Sequence, residues 1–192
     1  SSVFSCRVLQ NAIFGGGGNA VFCRDPLLLM GFLNSKLNQY FMNILNPTLN
    51  MLVGDLKKLP FIEVVNQRDE YESNLKNIFS LAIYDWNSKE TSWDFSTLPF
   101  LKEGIKADTL PESVRAWHEY QRNSFQQMKS LEEANNKILI RTYELDGELS
   151  PEVPDEQITL GTPDKEQDIK HLISYAVGCM MGRYSLDKPG LT

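Results

Sequence analysis

The sequence has little cysteine, little histidine and no long apolar run, and each shortage closes a class of function. Three cysteines, Cys6, Cys23 and Cys179, are too few and too scattered for a disulfide framework, and no C-x-x-C pair offers zinc or redox chemistry. That usage points to a reducing, cytoplasmic compartment. The longest apolar run, residues 27–33, is interrupted by Gly31 and falls far short of the ~20 residues of a membrane span, so no membrane partner is expected. The two histidines, His118 and His171, have no metal-ligand spacing, and no serine or cysteine sits in a nucleophile motif. Excess positive charge is missing too. Nineteen Lys/Arg against 25 Asp/Glu give −6, which disfavours coating nucleic acid by charge alone. There is no signal peptide. The chain opens Ser1-Ser2-Val3 inside an expected strand, without an initiator Met, as a piece cut from a longer protein would.

What is present is ordinary in bulk and uneven along the chain. With 192 residues, 42% apolar and 23% charged, the composition is that of one globular domain, or one small and one medium piece. Residues 1–60 hold five Lys/Arg (Arg7, Arg24, Lys36, Lys57, Lys58) against two acids (Asp25, Asp55), a balance of +3. The remaining 132 residues hold 14 against 23, a balance of −9.

The patterning predicts an α+β chain, predominantly α-helical: a short N-terminal β-hairpin followed by a helical bundle-like region. Residues 3–8, 12–14 and 20–23 are β-rich, and Gly15-Gly16-Gly17-Gly18-Asn19 supplies the positive-φ positions of a hairpin loop. Asp25-Pro26 reads as a helix start, and apolar residues at spacings of three and four carry that helix to about Leu45, where Pro47 stops it. Helices are expected over 69–86, from Pro111 to about Leu145, and over 165–184. Between the first two, Trp93, Phe95 and Phe100 read as packing anchors in an irregular stretch. In the last helix Ile169, Leu172, Ile173, Ala176, Val177, Met180 and Met181 read as the buried set. Ser174, Gly178 and Gly182 form a small-residue ridge suited to close packing.

The motifs yield no active site. Four glycines at 15–18 lack the Lys-[Ser/Thr] of a phosphate loop, and Ala20 stands where a dinucleotide fingerprint needs its third glycine. Asn46-Pro47 shares letters with the Asn-Pro-Pro-Tyr motif of amino-methyltransferases, but Thr48 and Leu49 supply neither the second proline nor the aromatic on which a flipped base stacks. The connector from Asn46 to Asp55 is more informative. Two asparagines, a proline, a glycine and an Asp can build a rigid turn. Flanked by Lys36, Lys57 and Lys58, such a turn can present amides and ammonium groups to DNA. A plain structural corner explains the same residues equally well.

The stretch Gly31-Phe32-Leu33-Asn34-Ser35-Lys36 leading to Asn46-Pro47-Thr48-Leu49-Asn50 and Val53-Gly54-Asp55-Leu56 resembles the end of a target-recognition domain in fused methyltransferase–specificity proteins. Residues 90–95, 148–153 and above all 173–187 (Ile-Ser-Tyr-Ala-Val-Gly-Cys-Met-Met-Gly-Arg-Tyr-Ser-Leu-Asp) narrow the resemblance. They are similar to the adenine-specific DNA methyltransferases of BREX phage-defence systems. The resemblance implies that residues 1–66 are the distal part of a target-recognition domain and 67–192 a helical spacer or scaffold. It implies a larger parent that methylates adenine N6 with S-adenosylmethionine, while this segment itself carries no cofactor and no catalytic residue. Double-stranded DNA, the rest of the methyltransferase chain and other BREX proteins are the implied partners. Arg7, Arg24, Lys36, Lys57 and Lys58 are candidate phosphate contacts, and Asn19, Asn46 and Asn50 candidate base or sugar contacts. The competing reading is a helical protein–protein interaction module that docks other defence-system subunits.

Overall fold

The computed structural model describes residues 5–7, 20–46, 53–185, 187 and 190. Six α-helices follow in order: α1 (Pro26–Leu33), α2 (Lys36–Leu45), α3 (Val53–Leu56), α4 (Arg68–Asn87), α5 (Leu110–Thr142) and α6 (Lys165–Met180). Two short 3-10 turns, Pro99–Leu101 and Asp155–Gln157, interrupt the connections.

No strand occurs among the described residues, so the expected N-terminal β-hairpin, and with it the α+β class, is corrected to a helical architecture over those residues; 3–4, 8 and 12–14 of the expected strands lie outside them. Residues 5–7 and 20–25 are irregular. The backbone of Cys6 is satisfied by a side chain instead of a neighbouring strand. Its N–H donates to Asn34 Oδ1 at 2.8 Å, and its carbonyl accepts from Asn34 Nδ2 at 2.9 Å. Val21 and Phe22 lie largely in solvent, so the β-rich residues 20–23 have no sheet face to bury. The glycine run 15–18 lies outside the described residues.

The helix expected from Pro26 to Leu45 is two helices. Asn34 caps α1, and Ser35 starts α2 by accepting from the Asn38 N–H at 3.2 Å while donating to the Phe32 carbonyl at 2.6 Å. This is the side-chain competition for backbone groups that places serine at helix starts. Buried Asn38 adds a bond from its amide to the Leu33 carbonyl at 2.7 Å. The break keeps the apolar positions of both helices pointing into one core.

The chain divides into two compact units, residues 1–78 with 130–154, and residues 79–129 with 155–192. The first unit is centred on Leu28, Phe32, Leu37, Tyr71, Leu75 and Leu139. Phe32 meets Phe61 edge to face at 5.2 Å. The Tyr143 hydroxyl donates to the Pro60 carbonyl at 2.5 Å and accepts from the Ile62 N–H at 2.7 Å, which pins the extended segment 60–62. Each fully buried Phe or Leu contributes about 2–3 kcal/mol, so these few side chains dominate the unit.

The second unit is an aromatic cluster: Phe95, Phe100, Trp117, Tyr175 and Tyr184, with Leu98. Tyr175 stacks on Tyr184 at 5.0 Å, and Phe95 meets Tyr184 at 5.5 Å. Gly178 makes that cluster possible, because a Cβ there would lie 2.6 Å from the Tyr184 ring. Phe95 and Phe100 are anchors as expected, but Trp93 is 96% exposed. Of the residues expected to be buried on the last helix, Leu172 packs against this cluster, but the rest differ from expectation. Tyr175 and Asp168 are buried, whereas Ile169, Ile173, Val177, Met180 and Met181 face solvent.

Candidate nucleic-acid interface

The described residues singled out for DNA contact all fall in the first unit, most of them near the two ends of α2. At its start, Lys36 is the first helical residue, and its N–H donates to Asn136 Oδ1 on α5 at 3.1 Å. Asn136 in turn donates to the Pro151 carbonyl at 3.1 Å, so α5 fixes the direction in which α2 leaves the corner. Arg7 is exposed and follows Cys6, which Asn34 holds at this same corner. Arg24 is exposed, just ahead of the α1 N-cap Asp25, whose own side chain makes no capping bond.

At the far end, Asn46 caps α2 and its amide donates to Asp55 Oδ2 at 2.7 Å. Asp55 is buried on the short helix α3, and Lys58 reaches its other oxygen at 3.8 Å. The structure therefore gathers Asn46, Asp55 and Lys58 into one knot. Lys57 beside them is exposed. Asn19 and Asn50 lie outside the described residues. The knot serves both readings of the connector. It is a corner held by a buried carboxylate, and it presents Lys57 and Lys58 on its outside. Its polar atoms are engaged with one another, however. The Asn46 amide that would grip an exocyclic amine is donated to Asp55. A cleft of this unit is lined by Leu28, Phe32, Val64, Tyr71 and Leu139, with Glu63 its one charged group, and that apolar lining does not suit a charged cofactor such as S-adenosylmethionine.

Folding also changes the electrostatics. The segment 130–154 brings Glu132, Glu133, Glu144, Asp146, Glu148 and Glu152 into the same unit as the basic front. The first unit then holds nine Lys/Arg and twelve Asp/Glu, a balance of −3, and the second ten and thirteen, again −3. Glu148 accepts from Tyr40 at 3.2 Å, so one of these acids reaches α2, the helix that Lys36 opens. With that balance the unit as a whole offers an anion no attractive field.

Two features were hidden in the sequence. His118 on α5 and Asp168 on α6, fifty residues apart, meet at 2.6 Å within the second unit. Both are largely shielded, and the pair links the two helices. Glu132 is mostly buried beside Glu133, and desolvation first, then that neighbouring charge, pushes its carboxyl up to about 7. The His118–Asp168 pairing and the burial of Glu132 leave no local signal; only the i+4 and i+3 faces of α5 and α6 hint at which sides turn inward. Among the described residues no group of three or more His, Cys, Asp or Glu could hold a metal ion, and no helix is long and apolar enough to cross a membrane.

No family model matches the chain. Among curated proteins it is 33% identical over 198 residues to the adenine-specific methyltransferase PglX of Lacticaseibacillus casei (strain Zhang), a match that covers 100% of this chain and 16% of the relative. It is 32% identical over 211 residues to the adenine-specific methyltransferase BrxX of Escherichia coli O9:H4 (strain HS), covering 98% of this chain and 17% of that one. The chain matches a segment of the PglX and BrxX adenine-specific methyltransferases from end to end. It spans about a sixth of their length. The PglX/BrxX match runs through both compact units, so the α2 knot and the aromatic cluster are parts of one aligned segment.

Proposed function

We propose that this chain is the DNA-specificity and helical scaffold portion, from the C-terminal part, of a site-specific adenine-N6 DNA methyltransferase of a BREX or restriction–modification type phage-defence system. In this reading residues 1–66 belong to the target-recognition domain and 67–192 to the spacer. The observation that carries it is the end-to-end match to two adenine-specific methyltransferases. The intact parent takes S-adenosylmethionine as methyl donor and double-stranded DNA as substrate. This segment performs no step of the transfer; it positions DNA with Arg7, Arg24, Lys36 and Lys57 as backbone contacts. Phosphate contacts of this kind set register and orientation without reading sequence.

The test uses the full-length methyltransferase with Lys36→Glu and Lys57→Glu, separately and together. Each lost phosphate contact lowers the salt slope of duplex binding by about 0.9. The double variant should therefore bind duplex less steeply with salt and methylate more slowly, with S-adenosylmethionine affinity unchanged. An unchanged slope in the double variant removes the interface. Lys58→Glu is an internal contrast, because Asp55 already draws on its charge, and its effect on the slope should be smaller.

The second reading, a protein-docking module, draws support from one observation, the apolar residues that α6 turns to solvent.

A further inference from the structure

α6 carries two apolar faces and the fold uses one. Tyr175, with Leu172 and Cys179 beside it, packs into the aromatic cluster. On the opposite side Ile169, Ile173 and Val177 are 48%, 59% and 47% exposed, and Met180 is 87% exposed. Together with exposed Ala176, the positions 169, 173, 176 and 180 repeat at intervals of four, three and four. At 100° per residue they and Val177 fall within one stripe about 100° wide. That is the spacing of a helix–helix seam, in which each residue enters a hole on a facing helix. No charged residue interrupts it. Lys165 and Glu166 precede it and Lys170 stands at its edge, with Glu166 and Lys170 joined at 2.7 Å. The loop 90–95 sits on the other side of α6, where Ser174 donates to Glu90 at 2.5 Å and Phe95 packs on Tyr175, and it leaves the seam uncovered.

A contiguous apolar stripe of this kind marks an interaction surface. What covers it follows from length. The aligned relatives are about six times longer than this segment and contain it within one polypeptide. Any chain stretch docked on α6 from within that polypeptide is held at high effective concentration, so it outcompetes a separate molecule of equal affinity. We propose that the Ile169–Ile173–Ala176–Met180 seam of α6 is the docking site for an amphipathic helix from elsewhere in the same methyltransferase chain. This rests on the reading of the chain as a portion of such an enzyme. It makes α6 the joint by which the scaffold is attached to the rest of the protein.

Met180 reports on the seam without any substitution, because peroxide converts an accessible methionine to its sulfoxide. In the full-length methyltransferase, without DNA, its oxidation should be about tenfold slower than in the denatured chain, as for a buried thioether. The protection should not change on dilution. Ile173→Asp in the full-length protein should restore fast oxidation at Met180. A photo-reactive benzoylphenylalanine in place of Ile169 should cross-link to a peptide outside these 192 residues of the same molecule. Oxidation at the free rate in the unsubstituted protein overturns the proposal. So does protection that is lost on dilution with cross-links between copies, which would assign the seam to a second copy. Protection seen only when another protein is added assigns it to that protein and also overturns it. The DNA-positioning reading is tested by salt slopes at Lys36 and Lys57, which these measurements do not touch, so the two can fail separately.

Discussion

Asn34 holds both backbone groups of Cys6, accepting from its N–H at 2.8 Å and donating to its carbonyl at 2.9 Å. One side-chain amide thus does what a paired strand residue would do, and it does so from the corner between α1 and α2. Asn34→Ala should release residues 5–7 from the corner. Two hydrogen bonds in a solvent-exposed setting cost about 1 kcal/mol together, read as a lower urea midpoint. Asn34→Asp should be no milder, since it removes the donor and sets a carboxylate against the Cys6 carbonyl. An unchanged midpoint in both variants would show that this clasp contributes nothing.

Gly178 and Tyr184 make the second prediction. A Cβ at 178 lies 2.6 and 2.7 Å from two ring carbons of Tyr184, a ring buried between Tyr175 and Phe95. The ring has no free direction in which to move. Gly178→Ala should cost about 1–3 kcal/mol, the range for overpacking a filled core. At Gly182, φ 76°, an added Cβ would meet nothing within 4 Å, so a side chain there meets backbone strain and no clash; Gly182→Ala should cost about 1 kcal/mol. Thermal unfolding of the two variants should rank Gly178→Ala lower, and the reverse order would mean the aromatic cluster gives way easily.

The contrast between these positions explains what the sequence could and could not yield. The helices over 68–87 and 110–142 were legible to within a few residues, because apolar residues recur at helical spacing over many turns. The break at Asn34–Ser35 was not, since the apolar positions continue in step across it and only the Ser35 cap marks it. The strands at the front failed because β propensity describes a half-buried pleated surface, and Val21 and Phe22 have none to lie on. α6 misled for a related reason: both its faces are apolar, so periodicity could not say which one the core takes. The basic front of the chain was legible as letters, but its electrostatic setting was not. Six acids arrive from 130–154, far along the chain from Arg7 and Arg24, and only the fold places them in the same unit. Within the site, Asn46, Asp55 and Lys58 were close enough in sequence to be read as one connector, whereas the mutual engagement of their side chains had no sequence signal.

His118 and Asp168 link α5 to α6 at 2.6 Å, with Asp168 buried. His118→Ala leaves that carboxylate without its ring partner in a shielded site, a loss of about 1–3 kcal/mol. Asp168→Ala removes the buried group itself, so the double variant should be less damaged than the sum of the two singles. A double-mutant cycle on urea midpoints checks this. Strict additivity would mean the two side chains do not interact in solution.

Glu132 provides a pH signature. Burial, with the charge of Glu133, raises its carboxyl from 4.5 to about 7 in the folded chain. Below pH 4.5 both folded and unfolded states hold the proton, and the group favours neither. As pH rises from 4.5 to 7 the unfolded chain gives up the proton while the folded one retains it. The unfolded state then binds fewer protons, so stability falls across that window and levels off above it. The full shift corresponds to about 3 kcal/mol, and partial solvent access reduces the expected effect to about 1–2 kcal/mol. Glu132→Gln removes the titration and keeps the shape. The variant should match the parent near pH 4 and exceed it by that amount at about pH 8, measured as a difference in urea midpoints. Taking the difference cancels the paired carboxylates, such as Asp85 with Lys89 and Glu72 with Arg68, which both proteins share. A variant that loses stability at the higher pH would show that Glu132 is ionised and paired there.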